Sequence, residues 1–473
     1  IYTSLFVGSV KMCIRDSPRT MIEVHPMQPT TRALAAVAAV GLSASLLTAC
    51  GQNNGPNVYY LNFKPEQAEQ FEQIAEEYTA ETGVPVKVVT AASGSYMQTL
   101  KAEMAKSNAP TLFQINGQEG YGIWKDYLAD MSDYEITQAL QDDAQPITNA
   151  NDQVVGIPFA MEGFGILYNE EIMDAYFALP NAKVGSMEEL NSFDDLKAVA
   201  EDMQARKDEL GIEGVFAATS LGAGEEWRWT NHLMNGPLHY EIVDRDIQDF
   251  SDMADVEFTY GENYHNLFDL YLQNSTVKPS LASARAVSDA MAEFATGKAA
   301  MVQNGNWAWG QISGEGGNVV KEDKVKFMPM YMGLPNEENV GINVGTENFL
   351  SVNNKVSEED QQATRDFLKW LFLSERGKEL VVNDLGFIAP FENYDVDDVP
   401  DDPLARQVQE ALNDTETEAL PWDFQYTPNQ QFRDLYGQNL AQYANGNLTW
   451  QDLVSKLKED WNYEMANQIA LLD

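Results

Sequence analysis

Two short segments set tryptophan beside groups that hydrogen-bond. Asn304-Gly-Asn-Trp-Ala-Trp-Gly-Gln311 places two indoles among glycines and amides, and Gly224-Glu-Glu-Trp-Arg-Trp229 places two more beside paired carboxylates. Phe424-Gln-Tyr426 lies in a Pro-flanked stretch. A sugar offers apolar C–H faces and a fringe of hydroxyls. Aromatic platforms suit the faces, while carboxylates, amides and arginine suit the fringe. A single tryptophan reads as a core residue with a satisfied N–H. Three such clusters in one chain read as a ligand cleft. Phosphate or amino-acid ligands would call for basic clusters or glycine loops at helix N-termini, and those signals are weak.

Catalytic patterns are missing. There is no G-x-x-x-x-G-K-[ST], no H-E-x-x-H and no G-x-S-x-G. Gly314-Glu-Gly-Gly317 follows no strand of a dinucleotide-binding unit and reads as a loop. Acidic pairs such as Glu225-Glu226 and Asp194-Asp195 arise by chance in a chain with 73 acidic residues. The run 395–402 lacks the glycine and closing glutamate of an EF-hand and reads as an exposed loop. Both cysteines, Cys13 and Cys50, precede the globular part, so neither a disulfide framework nor a thiolate metal site is expected there. No catalytic residue, cofactor or metal site is expected. A net charge of −43 argues against nucleic acid as a partner. The surviving alternative to a binding protein is a secreted carbohydrate-active enzyme, a hydrolase or lyase.

The elements that must position these residues alternate. An apolar strand over 58–63 leads to Pro65, which can open a helix with Phe71, Ile74, Ala75 and Tyr78 on one face and Gly83 at its end. A strand at 86–89 completes a βαβ unit, the start of a parallel sheet. A helix over 96–106 and strands at 111–115, 165–168 and 215–218 continue the rhythm. Ser192 with Asp195 marks a helix start, and helices are expected over 359–373 and 450–461, the latter with Thr449 and Asp452 as capping box. The 473 residues allow two or three domains, yet no composition break divides them. Two α/β lobes that share the chain back and forth fit this pattern.

The N-terminal stretch reads differently. Residues 1–20 have no start methionine and read as a non-native leader, with translation expected from Met21 or Met27. Residues 21–49 read as a secretory signal: Arg32, an apolar run too short to span a bilayer, then Leu47-Thr48-Ala49-Cys50, which resembles a bacterial lipobox. Cys50 is thus the expected lipid anchor and 50–57 a polar tether, leaving the protein on the outer face of the cytoplasmic membrane.

Four stretches in order resemble the extracellular solute-binding proteins of carbohydrate ABC importers, the family that includes maltose-binding proteins. They are the opening strand and helix ending Glu81-Thr-Gly83 before a V-K-V strand; Gly156-Ile-Pro-Phe-Ala-Met-Glu-Gly-Phe-Gly-Ile-Leu-Tyr-Asn169; Phe294-Ala-Thr-Gly-Lys through Trp309; and Leu350-Ser-Val-Asn through Gly386-Phe-Ile-Ala-Pro390. The resemblance implies a periplasmic-binding-protein-like α/β fold with the ligand cleft between two lobes joined by crossing segments. One lobe would hold 58–161 with about 341–392, the other 162–340 with about 393–473. It implies a monomer that hands a carbohydrate to permease subunits and touches the membrane only through its anchor. The family pattern falls on Trp307 as a stacking platform and Glu162 as a crossing-strand carboxylate. Glu225, Glu226 and Trp227 match an acidic and aromatic position, and Gln118 and Glu119 a polar loop. Phe63, Tyr96, Asn306, Phe424 and Tyr426 complete the candidate contacts. Pro110-Thr111 and Asn116-Gly-Gln-Glu depart from the maltose binders' pattern, so no maltose specificity follows.

Overall fold

The computed structural model describes residues 55–472 apart from Ser93, Asp143 and 396–397. The leader, the signal segment, Cys50 and most of the tether lie outside the described residues. In chain order the strands are β1 (Val58–Asn62), β2 (Val86–Thr90), β3 (Leu112–Asn116), β4 (Ile147–Thr148), β5 (Val154–Pro158), β6 (Glu162–Asn169), β7 (Gly214–Phe216), β8 (Ala299–Gly305), β9 (Val325–Met328), β10 (Val340–Gly345), β11 (Asn348–Val352) and β12 (Glu418–Pro421). They form two sheets. The first runs β2-β1-β3-β11-β5-β4; the second runs β12-β10-β6-β8-β7, with β9 also paired to β6.

The first sheet opens with the expected βαβ unit. β1 pairs in parallel with β2 and β3, while β11 is antiparallel to both β3 and β5. Its inner strands β1, β3, β11 and β5 are buried on both faces, while the edge strands β2 and β4 are partly exposed. Val58 and Tyr60 face one apolar cluster and Leu61 the other, the alternation a pleated strand imposes. Helix α1 (Ala68–Thr82) buries Phe71, Ile74, Ala75 and Tyr78 on the first face, and helix Glu358–Leu373 brings Phe367 to 5.1 Å from Tyr78. Helix α2 (Tyr96–Met104) covers the second face with Tyr96 and Leu100. Each buried Phe or Leu contributes about 1.5–3 kcal/mol.

The second sheet carries the larger core, in which Trp229 and Trp461 are fully buried. Trp229 donates its indole N–H to the Thr219 carbonyl at 2.6 Å and Trp461 to the Met253 carbonyl at 2.8 Å. Ser192 accepts from the Asp195 N–H at the start of helix Phe193–Ala205, as its sequence predicts. The last helix, Trp450–Leu472, runs well past the expected end at 461 because Glu464, Met465 and Gln468 continue its buried face.

The chain passes between the sheets three times: at 159–161, at 346–347, and through 385–402 on the way to helix Pro403–Leu412. The second passage falls later than the expected position near 341. β10 remains in the second sheet, paired to both β6 and β12. Two described residues of the acidic run make specific contacts. Asp398 pairs with Lys378 at 2.5 Å, and Asp402 caps helix Pro403–Leu412 through the Leu404 and Ala405 N–H groups. Among the described residues no cluster of acidic, His or Cys side chains is arranged to hold a metal, and no helix is long and apolar enough to cross a membrane.

Candidate functional site

The first two crossings lie side by side, with the Thr346 hydroxyl donating to the Ala160 carbonyl at 2.9 Å. Each delivers a carboxylate to the seam between the sheets: Glu162 opens β6, and Glu347 sits between β10 and β11. Lys64 meets them from the end of β1. Its backbone is fixed by Asn62, a fully buried side chain that accepts from the Lys64 N–H at 3.0 Å and donates to the Lys64 carbonyl at 2.8 Å. The ammonium lies 2.5 Å from Glu162 Oε1, and both side chains are buried. Burial pulls the Lys64 pKa down, but the carboxylates of Glu162, Glu66 and Glu347 outweigh it and hold the ammonium above its ordinary value. Burial pushes Glu66 and Glu347 up, and repulsion from Glu162 adds to both.

Glu347 ties the two sheets together. Its Oε1 accepts from Asn116 Nδ2 at 3.2 Å, at the end of β3, and from Asn231 Nδ2 at 3.3 Å, in the wide helical turn Arg228–Leu233 of the second sheet's side. Helix α3 (Gly117–Trp124) adds a second tie. Glu119 Oε2 accepts from Arg433 Nη2 at 2.7 Å, and its Oε1 accepts from the Gln430 N–H at 2.8 Å. Both partners belong to helix Gln430–Ala444, which packs on the second sheet's core. Half-buried Gln118 shares α3 with Glu119, and the start of that helix abuts the Phe424–Tyr426 turn.

On the second sheet's side the wall is aromatic. Phe164, on β6, lies 4.2 Å from the His232 ring and 6.0 Å from Trp307, and Trp227 lies 6.0 Å from Trp307. Trp422 and Phe424 close the other flank at 5.3 and 5.1 Å from His232. Burial among these rings drives the His232 pKa down to about 3, only partly offset by the Trp227 backbone, so the imidazole is neutral. Trp307 is half-buried. Its ring folds back over the backbone of Gly305, where a Cβ would come within 2.2 Å of it, so β8 must end in glycine for the indole to lie there. The Lys64 ammonium lies 6.0 Å from the centre of the Trp307 ring.

The candidates named from sequence separate into two groups. Glu162, Trp227, Trp307, Phe424 and Glu119 gather along the seam. Glu226 is buried with Oε2 lacking a hydrogen-bond partner, its pKa raised by burial, and it packs so tightly on Gly437 that no Cβ fits there. The others have local tasks. Glu225 accepts from the Val287 N–H at 2.8 Å, at the start of helix Val287–Ala295. Asn306 accepts from the Gly163 N–H at 3.0 Å and so binds the end of β8 to β6. The Tyr96 hydroxyl bonds both the N–H and the carbonyl of Gln114, and its ring packs edge-on against Phe63 at 5.1 Å. Tyr426 points its hydroxyl toward the Gln248 carbonyl, away from the ring cluster. Lys64, Glu66, Asn231, His232, Glu347, Trp422 and Arg433 had no sequence signal, because they are brought to the seam from separate elements far apart in the chain. Phe164 lay inside the Gly156–Asn169 segment but was not among the candidate contacts.

An aromatic wall facing carboxylates, amides and one lysine can hold a polar, many-hydroxyl solute. Solved structures share the architecture. The chain resembles a chitin oligosaccharide binding protein at 20% identity over 87% of this chain and 98% of that one, with a TM-score of 0.66. It resembles the T. maritima protein MalE3, solved with maltose, at 15% identity over 86% and 99%, with a TM-score of 0.64. The solute-binding protein RafE, solved with raffinose, matches at 16% identity over 87% and 99%, with a TM-score of 0.63. The sequence pattern of one family matches residues 73–407, well over half the chain: the protein belongs to the bacterial extracellular solute-binding proteins, which bind solutes outside the cytoplasm and are not enzymes.

Proposed function

We propose that the protein is the receptor of an ABC importer, closing its two lobes on a sugar or oligosaccharide and delivering it to membrane permeases. The supporting observation is the wall of Trp227, Trp307, Trp422 and Phe424 set against the polar crossings at Glu162 and Glu347, a surface matched to pyranose faces on one side and hydroxyls on the other. The solved relatives that bind chitin oligosaccharide, maltose and raffinose support the same ligand class. Thermal unfolding across an oligosaccharide panel tests the reading. The true ligand at about 100 times its Kd should add roughly 2.7 kcal/mol of stability and be recovered uncleaved. Cleavage products would instead support the hydrolase or lyase reading.

The receptor works at the membrane through Cys50, lipidated after signal removal, and as a monomer. Cys50→Ser should move the protein from the membrane fraction to the soluble one with an unchanged unfolding profile. A variant still tightly membrane-bound would sink the anchor.

A further inference from the structure

The loop that carries Trp422 and Phe424 is held by one face of a helix. Helix Met234–Asp244 continues the wide turn Arg228–Leu233, and Asn235 and His239 lie four residues apart on it, one turn above the other. Asn235 is 1% exposed and uses both ends of its amide on the loop. Its Nδ2 donates to the Pro421 carbonyl at 2.9 Å, and its Oδ1 accepts from the Asp423 N–H at 2.8 Å. These two bonds flank Trp422 along the chain and fix the amide in one orientation. His239 adds a side-chain tie, its Nδ1 lying 2.7 Å from Asp423 Oδ2. Against an ionised carboxylate, Nδ1 is the donor. Trp422 also packs against Gly345, where a Cβ would come within 2.6 Å of it, and Gly345 leads directly into the second crossing. One turn before Asn235, Asn231 bonds Glu347 of that same crossing. One stretch of helix therefore bonds both the aromatic loop and the crossing. Satisfied buried polar bonds fix a single geometry, whereas apolar packing alone tolerates several.

We propose that Asn235 and His239 are positioning residues for the solute: they touch no ligand, and they set affinity by holding Trp422 and Phe424 where a sugar face can stack. The assignment rests on the receptor reading above and deepens it. Titration calorimetry tests it with whichever member of a panel of maltose, raffinose and chitin oligosaccharides binds the parent tightest. His239→Ala and Asn235→Ala should each weaken that sugar by about two- to tenfold, the scale of a lost hydrogen bond. A residue that only supports the fold would cost the same whichever rings stand in the cleft. A positioning residue acts through the rings, so its cost should shrink in a Trp422→Ala or a Phe424→Ala background, a non-additivity that a double-mutant cycle reads directly. His239 is partly exposed, so its variant decides the matter if the buried Asn235 proves necessary for folding. Parent-like affinity in the folded variants, or losses fully additive with both ring truncations, overturn this assignment and leave the receptor reading standing. If no sugar of the panel binds the parent, the receptor reading falls and this assignment falls with it.

Discussion

Trp307 shows what a single side chain does at this seam. It is half-buried, rests on the Gly305 backbone and lies 6.0 Å from the Lys64 ammonium, which supports the proposed platform role. Trp307→Ala should weaken ligand binding by about 2 kcal/mol or more. It should cost less stability than the ~3–5 kcal/mol of emptying a packed aromatic site. Titration calorimetry and thermal unfolding separate the two, and a variant that binds normally but unfolds easily would make Trp307 core. His232 carries a pH signature. Its pKa falls from 6.5 to about 3 on folding, so the unfolded chain binds more protons between those values. The stabilising contribution of the neutral ring is present above the unfolded pKa and is lost as pH falls toward the folded one. His232→Phe, which keeps a ring but cannot titrate, should flatten the acid limb of the unfolding midpoint across that window; parallel curves for parent and variant would refute it. At this scale the sequence was only partly legible. Tryptophans beside amides announce themselves, whereas Lys64 and Glu347 gain meaning only when two crossings bring them together.

Helices and strands were the most legible level. The apolar spacing in α1 and the Ser192 cap correspond to formed structure, because local periodicity and capping chemistry need no knowledge of the rest of the chain. The late end of the last helix and the displaced second crossing were not legible, since tertiary packing and sheet partners set them. The same dependence applies to α3, whose Glu119 was read from sequence as a polar loop contact but sits in a helix and meets Arg433 from the other sheet's side. That pair is about 10% exposed on each partner, so solvent screens it little. A double-mutant cycle of Glu119→Gln and Arg433→Gln should give a coupling of about 0.5–3 kcal/mol in unfolding experiments. Additive single effects would show that the contact holds nothing together.

At the scale of the whole molecule, three crossings join two sheets that otherwise touch through side chains such as Glu347, Glu119 and Arg433. A receptor of the proposed kind would part its lobes by breaking such contacts and bending at the crossings. Small-angle scattering should report a smaller radius of gyration with saturating ligand than without, and identical profiles would count against a hinged receptor. The two-lobed plan was legible from motif order, but the relative placement of the lobes' surfaces was not, because it depends on residues hundreds of positions apart. One such placement has a practical use. Leu471 and Leu472 accept from Lys125 at 2.7 and 3.4 Å through their carbonyls, and Leu472 packs on Gly122, so the last helix's final turn touches the opposite lobe. An environment-sensitive dye on a cysteine introduced at Leu471 would sit on that boundary, outside the solute cleft. Its emission would convert lobe movement into an optical signal, and the receptor into a reagentless sensor for its own cargo.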